Sequence, residues 1–317
     1  MTTMTHDTVR EVTPPRSGAG LGFAVLSAMF FGMSGTLAKG LLAAGWTPAS
    51  AVTARVVVAA LVMLVPGLIM LQGRWHLLRA NARFVVVYGL IVVAGTQLAY
   101  FSAIATLQVG VALLIEYAAP VLVIGWLWAR YGQRPGRLTL AGGVLALTGL
   151  VLVLDLVSGA DLDPLGVMWA LLAMVGCATY FVMSAQHGNG LPPVVLAAAG
   201  LVVGAVSLLL AGAVGVLDLT WTTDPASYDG TSVPWWLPVL ALGILTCAFA
   251  YVFGIMASRA LGSRVASFVA LLEVLFALVF AWFALDELPR AIQFIGGAAV
   301  LADVVLVKLG ERSTARH

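Results

Sequence analysis

The amino-acid sequence predicts an all-α integral membrane protein of about ten transmembrane helices. The prediction depends on the composition, on the length of the apolar runs and on the placement of the basic residues between them. Of the 317 residues, 62% are hydrophobic and only 9% are charged, whereas a soluble domain carries about a quarter of charged residues. So few charges cannot cover a surface that faces water, and we therefore expect lipid to surround most of the chain.

Apolar runs that are long enough to cross a bilayer follow one another along the chain. A helix needs about 20 apolar residues to cross the hydrocarbon core. Helices are expected because backbone polar groups in lipid must be satisfied within the segment. Glycine, proline and aspartate residues separate the runs, and the longest connection covers about residues 218–235. The predicted spans are 20–43, 48–71, 84–106, 109–129, 138–157, 165–185, 192–217, 236–258, 265–285 and 290–309.

Basic and acidic residues fall on opposite sides of the predicted bundle. The loop arginines after the second, fourth and eighth spans lie on the same side as both tails, which are residues 1–19 and 310–317. The loops on the other side are rich in aspartate. Because cytoplasmic loops carry an excess of Lys and Arg, both termini are predicted to be cytoplasmic. The expected location is the bacterial inner (plasma) membrane, with the chain crossing it many times.

The two halves of the chain, residues 20–157 and 158–309, resemble each other at a shift of 154 positions. The matches include Pro135 with Pro289, Trp128 with Trp282, and Gly142 with Gly296. Chance agreement among apolar residues is the alternative, but the shared Trp, Pro and Gly favour a repeat. Each repeat would contain five helices, and because five is odd the second copy must enter the membrane inverted. Inverted repeats are a common transporter architecture, with the substrate near the midplane.

The segment 250–302 carries the strongest resemblance to a known family. Two helices are joined there by a short DEL loop and followed by Gln293 and Gly296. With Lys39 and Arg55 in the first repeat, this pattern resembles the EamA-type exporters of the drug/metabolite transporter superfamily, and the resemblance covers nearly the whole chain. It implies a secondary transporter that exports small metabolites by alternating access at a midplane cavity.

Within that superfamily, the segment LLIEYAAPVLV, which contains Glu116, Tyr117 and Pro120, is most similar to the amino-acid exporters. This similarity implies an amino acid with an apolar or aromatic side chain, or a related metabolite, as substrate. One departure concerns the ninth span, where Glu273 is followed by Val274 rather than by the proline that is common in the family. A backbone break is therefore expected in the fourth span and not in the ninth.

Glu116 is a candidate substrate-binding residue because an ionisable group inside the membrane is costly. It lies about seven residues into the fourth span, roughly 10 Å deep. Pro120 cannot donate a hydrogen bond to the carbonyl of residue 116, so a break there would present a carboxylate and a free carbonyl at one depth. Together they would accept an ammonium group. The alternative is a kinked structural helix in which Glu116 bonds to a neighbour.

Glu273 lies about nine residues into the ninth span, close to mid-bilayer. It is a candidate for ion coupling, for substrate binding, or for an ion pair with Lys39 or Arg55. Lys39 lies near the end of the first span, where it either binds a substrate carboxylate or extends its ammonium group to the interface. Arg55 and Asp303 lie deeper in the membrane, and we assign structural pairing roles to both.

Tyrosines, a tryptophan and a glutamine complete the candidate binding cavity. Gln97 and Tyr100 lie one helical turn apart and share a face of the third span. Trp169 lies near the end of the sixth span, where a cavity wall and an interfacial belt are both consistent with its position. Aromatic residues away from the interface more often pack against neighbouring helices than contact a ligand, although they offer large apolar areas. The candidates are Glu116, Lys39, Gln97, Tyr100, Tyr117, Trp169, Tyr180 and Tyr251, with Glu273 for ion coupling and Pro120 for the backbone break.

The sequence contains no catalytic, nucleotide-binding or metal-binding motif. Cys177 and Cys247 both fall within apolar runs, which argues against a disulfide or a zinc site. The expected partners are membrane lipid and a small-molecule substrate, with no cofactor, metal, nucleic acid or obligate protein partner. Two other classes stay open: an intramembrane enzyme that uses its buried acids on a lipid-like substrate, and a helical subunit of a larger complex. The repeat and the scarcity of polar groups argue against the enzyme, and the buried carboxylates argue against a non-transporting subunit.

Overall fold

A computed structural model describes residues 17–107, 109–132, 135–153, 163–186, 188, 190–228, 231–285 and 291–314. Within these residues the regular structure is helical apart from one short β-hairpin. The elements are α1 (Ser17–Ala43), α2 (Pro48–Leu71), α3 (Trp75–Ala80), α4 (Ala82–Val87), π1 (Tyr88–Gly95), α5 (Thr96–Thr106), α6 (Val109–Glu116), α7 (Ala119–Tyr131), α8 (Arg137–Val153), α9 (Pro164–Ser184), α10 (Pro193–Ala213), β1 (Ala226–Tyr228), β2 (Thr231–Val233), α11 (Trp236–Gly243), π2 (Ile244–Phe249), α12 (Ala250–Ala270), α13 (Leu272–Leu285) and α14 (Ala291–Thr314).

Helical segments of membrane-spanning length are present in both halves of the chain. In the described residues six are long and apolar enough to cross a membrane, and they are Gly18–Ala43, Pro48–Leu71, Ala82–Thr106, Pro164–Ser184, Pro193–Ala213 and Trp236–Ala270. Two shorter apolar helices, Arg137–Gly149 and Ile295–Val307, lie in the predicted fifth and tenth spans. The chain is therefore a multi-pass, all-helical membrane protein. In the described residues, six of the ten predicted spans are long and apolar enough to cross a membrane.

Capping residues fix both ends of α2. Thr47 precedes the helix, and its side-chain oxygen accepts a hydrogen bond from the Ser50 backbone N–H at 3.2 Å. Pro48 fits the first turn because an N–H at that position has no partner within the helix. At the other end Gln72 and Gly73 adopt left-handed backbone, with φ of 47° and 75°. Left-handed residues end many helices because they turn the chain away from the helix axis.

Two π-helical segments occur at equivalent positions of the two halves. A shift of 154 residues places the end of π1 on the whole of π2, so that Gly95 matches Phe249 and Val92 matches Thr246. In a π-helix the hydrogen bond joins residues five apart, and such turns are rare and occur mostly at functional sites. Repetition of a rare backbone form supports a true internal repeat and makes these two turns candidates for a functional site.

The predicted fourth and ninth spans are both interrupted. Helix α6 ends at Glu116 and α7 begins at Ala119. In the second half, Gly262 has a left-handed conformation with φ of 79°, which glycine adopts readily, and it lies in the connection between the predicted eighth and ninth spans. Within the ninth span, α12 ends at Ala270 and α13 begins at Leu272. The expectation of an unbroken ninth span is therefore wrong. A single turn at Leu271, whose N–H donates to the Phe268 carbonyl at 3.1 Å, interrupts the span without a proline.

The two halves pack against each other along most of their length. Helix α1 packs on α12 and α13, α9 on α5, α2 on α10, and α8 on α14. Glycines allow the closest approaches: a Cβ added to Gly89 would lie 2.5 Å from the Val203 Cβ, and one added to Gly243 would lie 2.4 Å from the Val58 Cγ1. Small residues at such crossings let the backbones approach, which is how helices associate in lipid. Gly89 and Gly243 are equivalent at the 154-residue shift.

The long loop ends in a β-hairpin that lies over the end of α1. The Tyr228 hydroxyl donates to the Leu37 carbonyl at 2.7 Å, and its ring lies so close to Gly40 that any side chain there would collide with it. Burial raises the pKa of the Tyr228 phenol to about 12, so the group stays a neutral donor at ordinary pH. The Trp46, Trp221 and Trp235 rings pack together beside the hairpin.

Candidate functional site

A narrow cavity lies where the two halves of the chain meet. Helices α1, α2, α5, α6, α9, α12 and α13 contribute to its walls, together with π1. Its volume open to the centres of water molecules is about 80 Å³. The polar and aromatic residues in its walls are Ser27, Phe31, Ser34, Arg55, Thr96, Gln97, Tyr100, Glu116, Tyr117, Cys177, Tyr180, Phe181, Tyr251 and Glu273.

Most of the candidates from the sequence meet in this cavity. Both glutamates line it, as do Gln97 and the tyrosines at positions 100, 117, 180 and 251. Lys39 does not line it and is exposed on α1. Trp169 packs behind the wall, against Ala103 and Leu107. Pro120 is buried at the start of α7 and lies next to the break that ends α6 at Glu116.

Arg55 is the cation of the cavity. Its side chain is only 1% exposed, and its guanidinium donates to the Ser34 hydroxyl at 2.8 Å and to the Thr246 carbonyl at 2.7 Å. It also lies over the Phe101 ring, with 5.4 Å from Cζ to the ring centre. Its Nε has no hydrogen-bond partner within the described residues. Arg55 therefore keeps one buried N–H donor that is not used within the described residues. Because it also lines the cavity, it is a candidate site residue in addition to the structural role predicted from the sequence.

The two carboxylates differ in their surroundings. Tyr117 hydrogen-bonds to the Glu273 carboxylate, and Glu116 lies close enough to Glu273 for the two charges to repel each other. Both also lie within electrostatic range of Arg55. Each keeps a partly accessible surface although it lies deep in the protein, because each faces the cavity. Glu116 thus has the freer carboxylate, whereas the Glu273 carboxylate is already held by a phenol.

A second polar group joins Gln97 and Tyr251, which are equivalent at the 154-residue shift. The Gln97 amide donates to the Tyr251 hydroxyl at 3.2 Å, and that hydroxyl donates to the Val92 carbonyl at 3.0 Å. Val92 in π1 is the equivalent of Thr246 in π2, whose carbonyl accepts from Arg55. Each π segment therefore presents one carbonyl to a cavity side chain. At π1 the donor is the neutral phenol of Tyr251, and at π2 it is the guanidinium of Arg55.

Aromatic rings form the opposite wall. The Tyr180 and Tyr251 rings meet edge to face at 5.6 Å, and Phe31 packs on Tyr251 in the same way. The Tyr180 hydroxyl is buried without a hydrogen-bond partner in the described residues. It lies directly against Gly254, where an added Cβ would be 1.7 Å from the oxygen. Only glycine fits at Gly254, because any side chain there would collide with the Tyr180 hydroxyl.

The reasoning from sequence missed several wall residues. Arg55 was noted for its depth, but nothing in the sequence shows that α2 turns it towards Thr246. The small hydroxyls of Ser27, Ser34 and Thr96 gave no signal, because isolated Ser and Thr are ordinary in membrane helices. Asp303, also noted for its depth, lies outside the cavity. It is fully buried in α14, with no hydrogen-bond partner for its carboxylate in the described part of the chain.

The arrangement can bind a small molecule that carries both charges. One guanidinium and two carboxylates face an apolar and aromatic space, which is the pattern of a small-ligand site: apolar walls and a few placed polar groups. Across the described residues no group of three or more His, Cys, Asp or Glu side chains is positioned to hold a metal ion. The chemistry on offer is recognition of charge and shape, with a carboxylate that can take up a proton.

Comparison with known proteins identifies the family. The model of the EamA-like transporter family matches residues 18–155 and 164–309, which are the two halves of the chain. The chain belongs to the EamA-like transporter family. As a family member it is a transporter in a membrane, and this membership points away from an intramembrane enzyme.

One relative agrees with this assignment. An uncharacterized transporter of Archaeoglobus fulgidus is 28% identical over 211 residues, which cover 67% of this chain and 71% of that protein. One crystal structure superimposes with a TM-score of 0.75 at 21% identity and covers 94% of this chain and 99% of the other. That similarity establishes the fold alone. The two EamA matches lie one in each half of the chain, and they leave the substrate to be argued from the cavity.

Proposed function

We propose that this protein is a secondary transporter that exports amino acids with apolar or aromatic side chains, or closely related metabolites, by alternating access at the cavity between its repeats. The observation that carries the proposal is the presence of Arg55 and Glu116 in one narrow, largely aromatic cavity. A guanidinium and a carboxylate in the same apolar space select a molecule with both charges. A simple anion or a simple cation would leave one of them unpaired.

The contacts assign each group of a zwitterion to a partner. The substrate carboxylate binds Arg55, whose Nε has no other partner in the described residues. A carboxylate matches the planar fork of a guanidinium and forms short, charge-assisted hydrogen bonds with it. The ammonium group binds Glu116, the freer of the two acids. The side chain packs on the tyrosine wall, where burial contributes about 25 cal/mol per Å² of apolar area.

Charge balance gives Glu273 a different role. If both acids are ionised, the cavity holds two negative charges against the single positive charge of Arg55, and a zwitterion adds none. An uncompensated charge inside a membrane is costly. A proton on Glu273 would remove the excess, and Tyr117 already holds its carboxylate in place. We therefore propose that Glu273 carries the coupling ion, a proton, while Glu116 binds substrate.

The cavity must widen for this substrate. Pockets for drug-sized ligands have volumes of about 300–1,000 Å³, whereas this one has about 80 Å³. The rings of Tyr180 and Tyr251, which meet edge to face at 5.6 Å in its wall, limit the space. Binding of a Phe or Trp side chain would require these rings and the helices that carry them to move apart.

We propose further that the chain crosses the membrane ten times, as two inverted repeats of five, with both termini cytoplasmic. The fourth span would be interrupted between α6 and α7, and the ninth span at Leu271, between the end of α12 and the start of α13. Breaks inside a membrane are tolerated where they face a cavity rather than lipid, and both breaks here lie at cavity glutamates. The pairing of α2 with α10 and of α8 with α14 is what a two-fold relation between repeats requires.

Thiol labelling tests this topology. Cys177 and Cys247 are first replaced by alanine, and single cysteines are then placed at Ser232 in the hairpin or at Arg79 or Arg137 on the basic side. Only the Ser232→Cys protein should react with an impermeant maleimide applied to intact cells. Labelling of both basic-side positions and not of position 232 would reverse the orientation. Labelling of one basic-side position alone would show that the number of spans between them is not even.

Counterflow in proteoliposomes tests the substrate class. Purified protein is reconstituted with unlabelled amino acid inside and labelled Phe, Trp, Leu or Met outside, with Glu and Lys for comparison. We expect uptake of apolar amino acids to exceed that of Glu and Lys by about tenfold or more, because Glu and Lys carry the same α-ammonium and α-carboxylate groups but would also have to bury a charged side chain against the apolar wall. Protein-free liposomes and the Glu116→Gln protein are the controls. Faster exchange of Glu, of sugars or of nucleotide conjugates would contradict the proposal.

Direction and coupling need two further measurements. Cells that overproduce an exporter should resist p-fluorophenylalanine, whereas an importer would sensitise them. In proteoliposomes, an imposed pH gradient should drive net movement of labelled Phe, and the Glu273→Gln protein should exchange Phe without responding to the gradient. A gradient response that survives in Glu273→Gln would remove the coupling role from this residue and leave the substrate assignment standing.

A further inference from the structure

A second concave site lies on the outer surface of the bundle, away from the transport cavity. It is an apolar groove between α2 and α10 that is closed at one end by α3 and α4, with a volume of about 380 Å³. Its walls include Leu64 and Leu68 of α2, Val86 of α4 and Val202 of α10. Such a volume lies within the range of small-ligand pockets.

The groove is deep because its floor is built of small residues. Gly67 of α2 and Ala198 of α10 meet there, and a Cβ added to Gly67 would lie 2.5 Å from the Ala198 Cβ. Ala82 and Ala199 also line it. The large side chains form the rim instead, where Leu64 and Leu68 are 41% and 45% exposed. The resulting shape is a slot that opens towards the surrounding lipid.

One end of the groove is basic. Leu71 and Trp75 line that end, and Arg74 lies between them in the sequence. The Arg74 guanidinium donates to the carbonyls of Leu71 and Met70, at 3.3 and 3.1 Å, which fixes it at the end of α2. Three of its five N–H donors remain for other partners.

Two further arginines follow on the next turns. Arg79 lies one helical turn from Trp75, and Arg83 lies four residues beyond Arg79; both are exposed. Residues 72–83 contain no Asp or Glu. The mouth of the groove therefore has a cluster of positive charge without a nearby acid in the same segment, directly beside an apolar slot.

We infer that this groove binds a phospholipid with an anionic headgroup, with an acyl chain in the slot between α2 and α10 and the phosphate at Arg74 and Arg79. The charge pattern selects this occupant. An apolar slot alone would take any acyl chain, and a basic cluster alone would take any anion, whereas a ligand with a long apolar tail and a phosphate at one end satisfies both. Basic pockets beside membrane helices bind anionic headgroups in this way. Trp75, which is 51% exposed at the same end, suits the headgroup boundary.

Native mass spectrometry of the full-length protein tests the inference. The protein in a maltoside detergent is mixed with equal amounts of dioleoylphosphatidylglycerol and dioleoylphosphatidylcholine. We expect the phosphatidylglycerol adduct to be at least fivefold more abundant. The Arg74→Gln/Arg79→Gln double variant should bring the two adducts to similar abundance. The matched control, Arg130→Gln/Arg137→Gln, removes two exposed arginines from α7 and α8 and should retain the preference.

A second pair of variants tests the slot. Ala199→Phe should fill it and reduce both lipid adducts, while Ala302→Phe, on an exposed position of α14, should not. The arginine variants change only exposed side chains, so they keep the test decisive if Ala199→Phe alters the fold. Equal binding of the two lipids by the unaltered protein would overturn the inference, as would an undiminished preference in the Arg74/Arg79 variant. Displacement of the lipid by free glycerol 3-phosphate at equal concentration would assign the site to a soluble anion. A protein dimer that Ala199→Phe abolishes would assign the groove to a second copy of the chain.

Discussion

The two halves of this protein share a backbone but not a chemistry, and the contrast is clearest at the π segments. The backbone of π1 and π2 repeats at a shift of 154 residues, and each presents one carbonyl to the cavity. The Val92 carbonyl accepts from the neutral Tyr251 phenol, whereas the Thr246 carbonyl accepts from Arg55. The positive charge of the cavity therefore comes from the first half, and it is bonded to the π segment of the second half.

The broken helices show the same contrast. Helices α6 and α7 separate beside a proline, while α12 and α13 separate at Leu271 without one. The glutamates also differ in register, since Glu116 ends the first half-helix of its pair and Glu273 is the second residue of the later half-helix. Repetition of the fold thus supplies two similar breaks, and the side chains at each break give them different roles.

The largest effect should come from removing Arg55, the positive charge of the cavity. Arg55→Met leaves two carboxylates in the cavity without their cation, and loss of one partner of a buried ionic group costs about 3–5 kcal/mol. We expect Phe counterflow to fall by more than about 100-fold at 1.4 kcal/mol per factor of ten. Arg55→Lys keeps the charge but not the planar fork and should retain an intermediate rate. Full activity in a monodisperse Arg55→Met protein would show that the cation is not used in transport.

Replacing each glutamate by glutamine should distinguish substrate binding from proton coupling. Glu116→Gln removes the proposed acceptor of the substrate ammonium, and loss of a charge-assisted hydrogen bond of about 1.5–3 kcal/mol should weaken Phe binding by about tenfold or more. Glu273→Gln should change Phe affinity by less than about threefold, given that its carboxylate bonds to Tyr117, while abolishing the response to a pH gradient. Titration calorimetry and proteoliposome flux measure the two quantities. Equal, small effects in both proteins would return both residues to a structural role.

Loss of the phenol at π1 should affect stability more than transport. Tyr251→Phe leaves the Val92 carbonyl and the Gln97 amide without a shared partner, and each buried unsatisfied group costs about 1–3 kcal/mol. We expect a lower free energy of unfolding in a detergent titration, with counterflow reduced less than in Arg55→Met. Tyr131→Phe, on an exposed ring at the end of α7, is the matched control and should be neutral. An unchanged unfolding curve for Tyr251→Phe would mean that water replaces the phenol.

The smallest effects should come from the prolines. Pro120→Ala adds an N–H beside a break that tertiary contacts hold in place, so we expect a change below about 1 kcal/mol in the free energy of unfolding. Val274→Pro, at the equivalent position, removes the N–H that donates to the Leu271 carbonyl at 3.1 Å. This change should lower the free energy of unfolding by about 1 kcal/mol. A large loss from Pro120→Ala would show that the proline, and not the packing, makes the first break.

The sequence predicted how deep each residue lies in the membrane better than it predicted which way its side chain faces. The runs of apolar residues predicted the helices, and the glutamates and tyrosines it selected do meet in the cavity. Lys39 and Trp169 do not, because a helix that is apolar on all sides gives no signal of which face meets lipid and which meets protein. The contact between Arg55 and the Thr246 carbonyl depends on a π turn, and the second break on a single turn at Leu271. The apolar sequence around each of them gives no local pattern that predicts the feature.

The hydrogen bond from Arg55 to Thr246 also has a consequence for synthesis of the chain. Its two residues are 191 positions apart, and ribosomes add about 5–20 residues per second. Arg55 therefore enters the membrane about 10–40 s before its partner carbonyl has been made. During that interval the Ser34 hydroxyl is already present, whereas the Thr246 carbonyl is not. The hydrogen bonds of Arg55 are therefore complete only after the predicted eighth span has been synthesised.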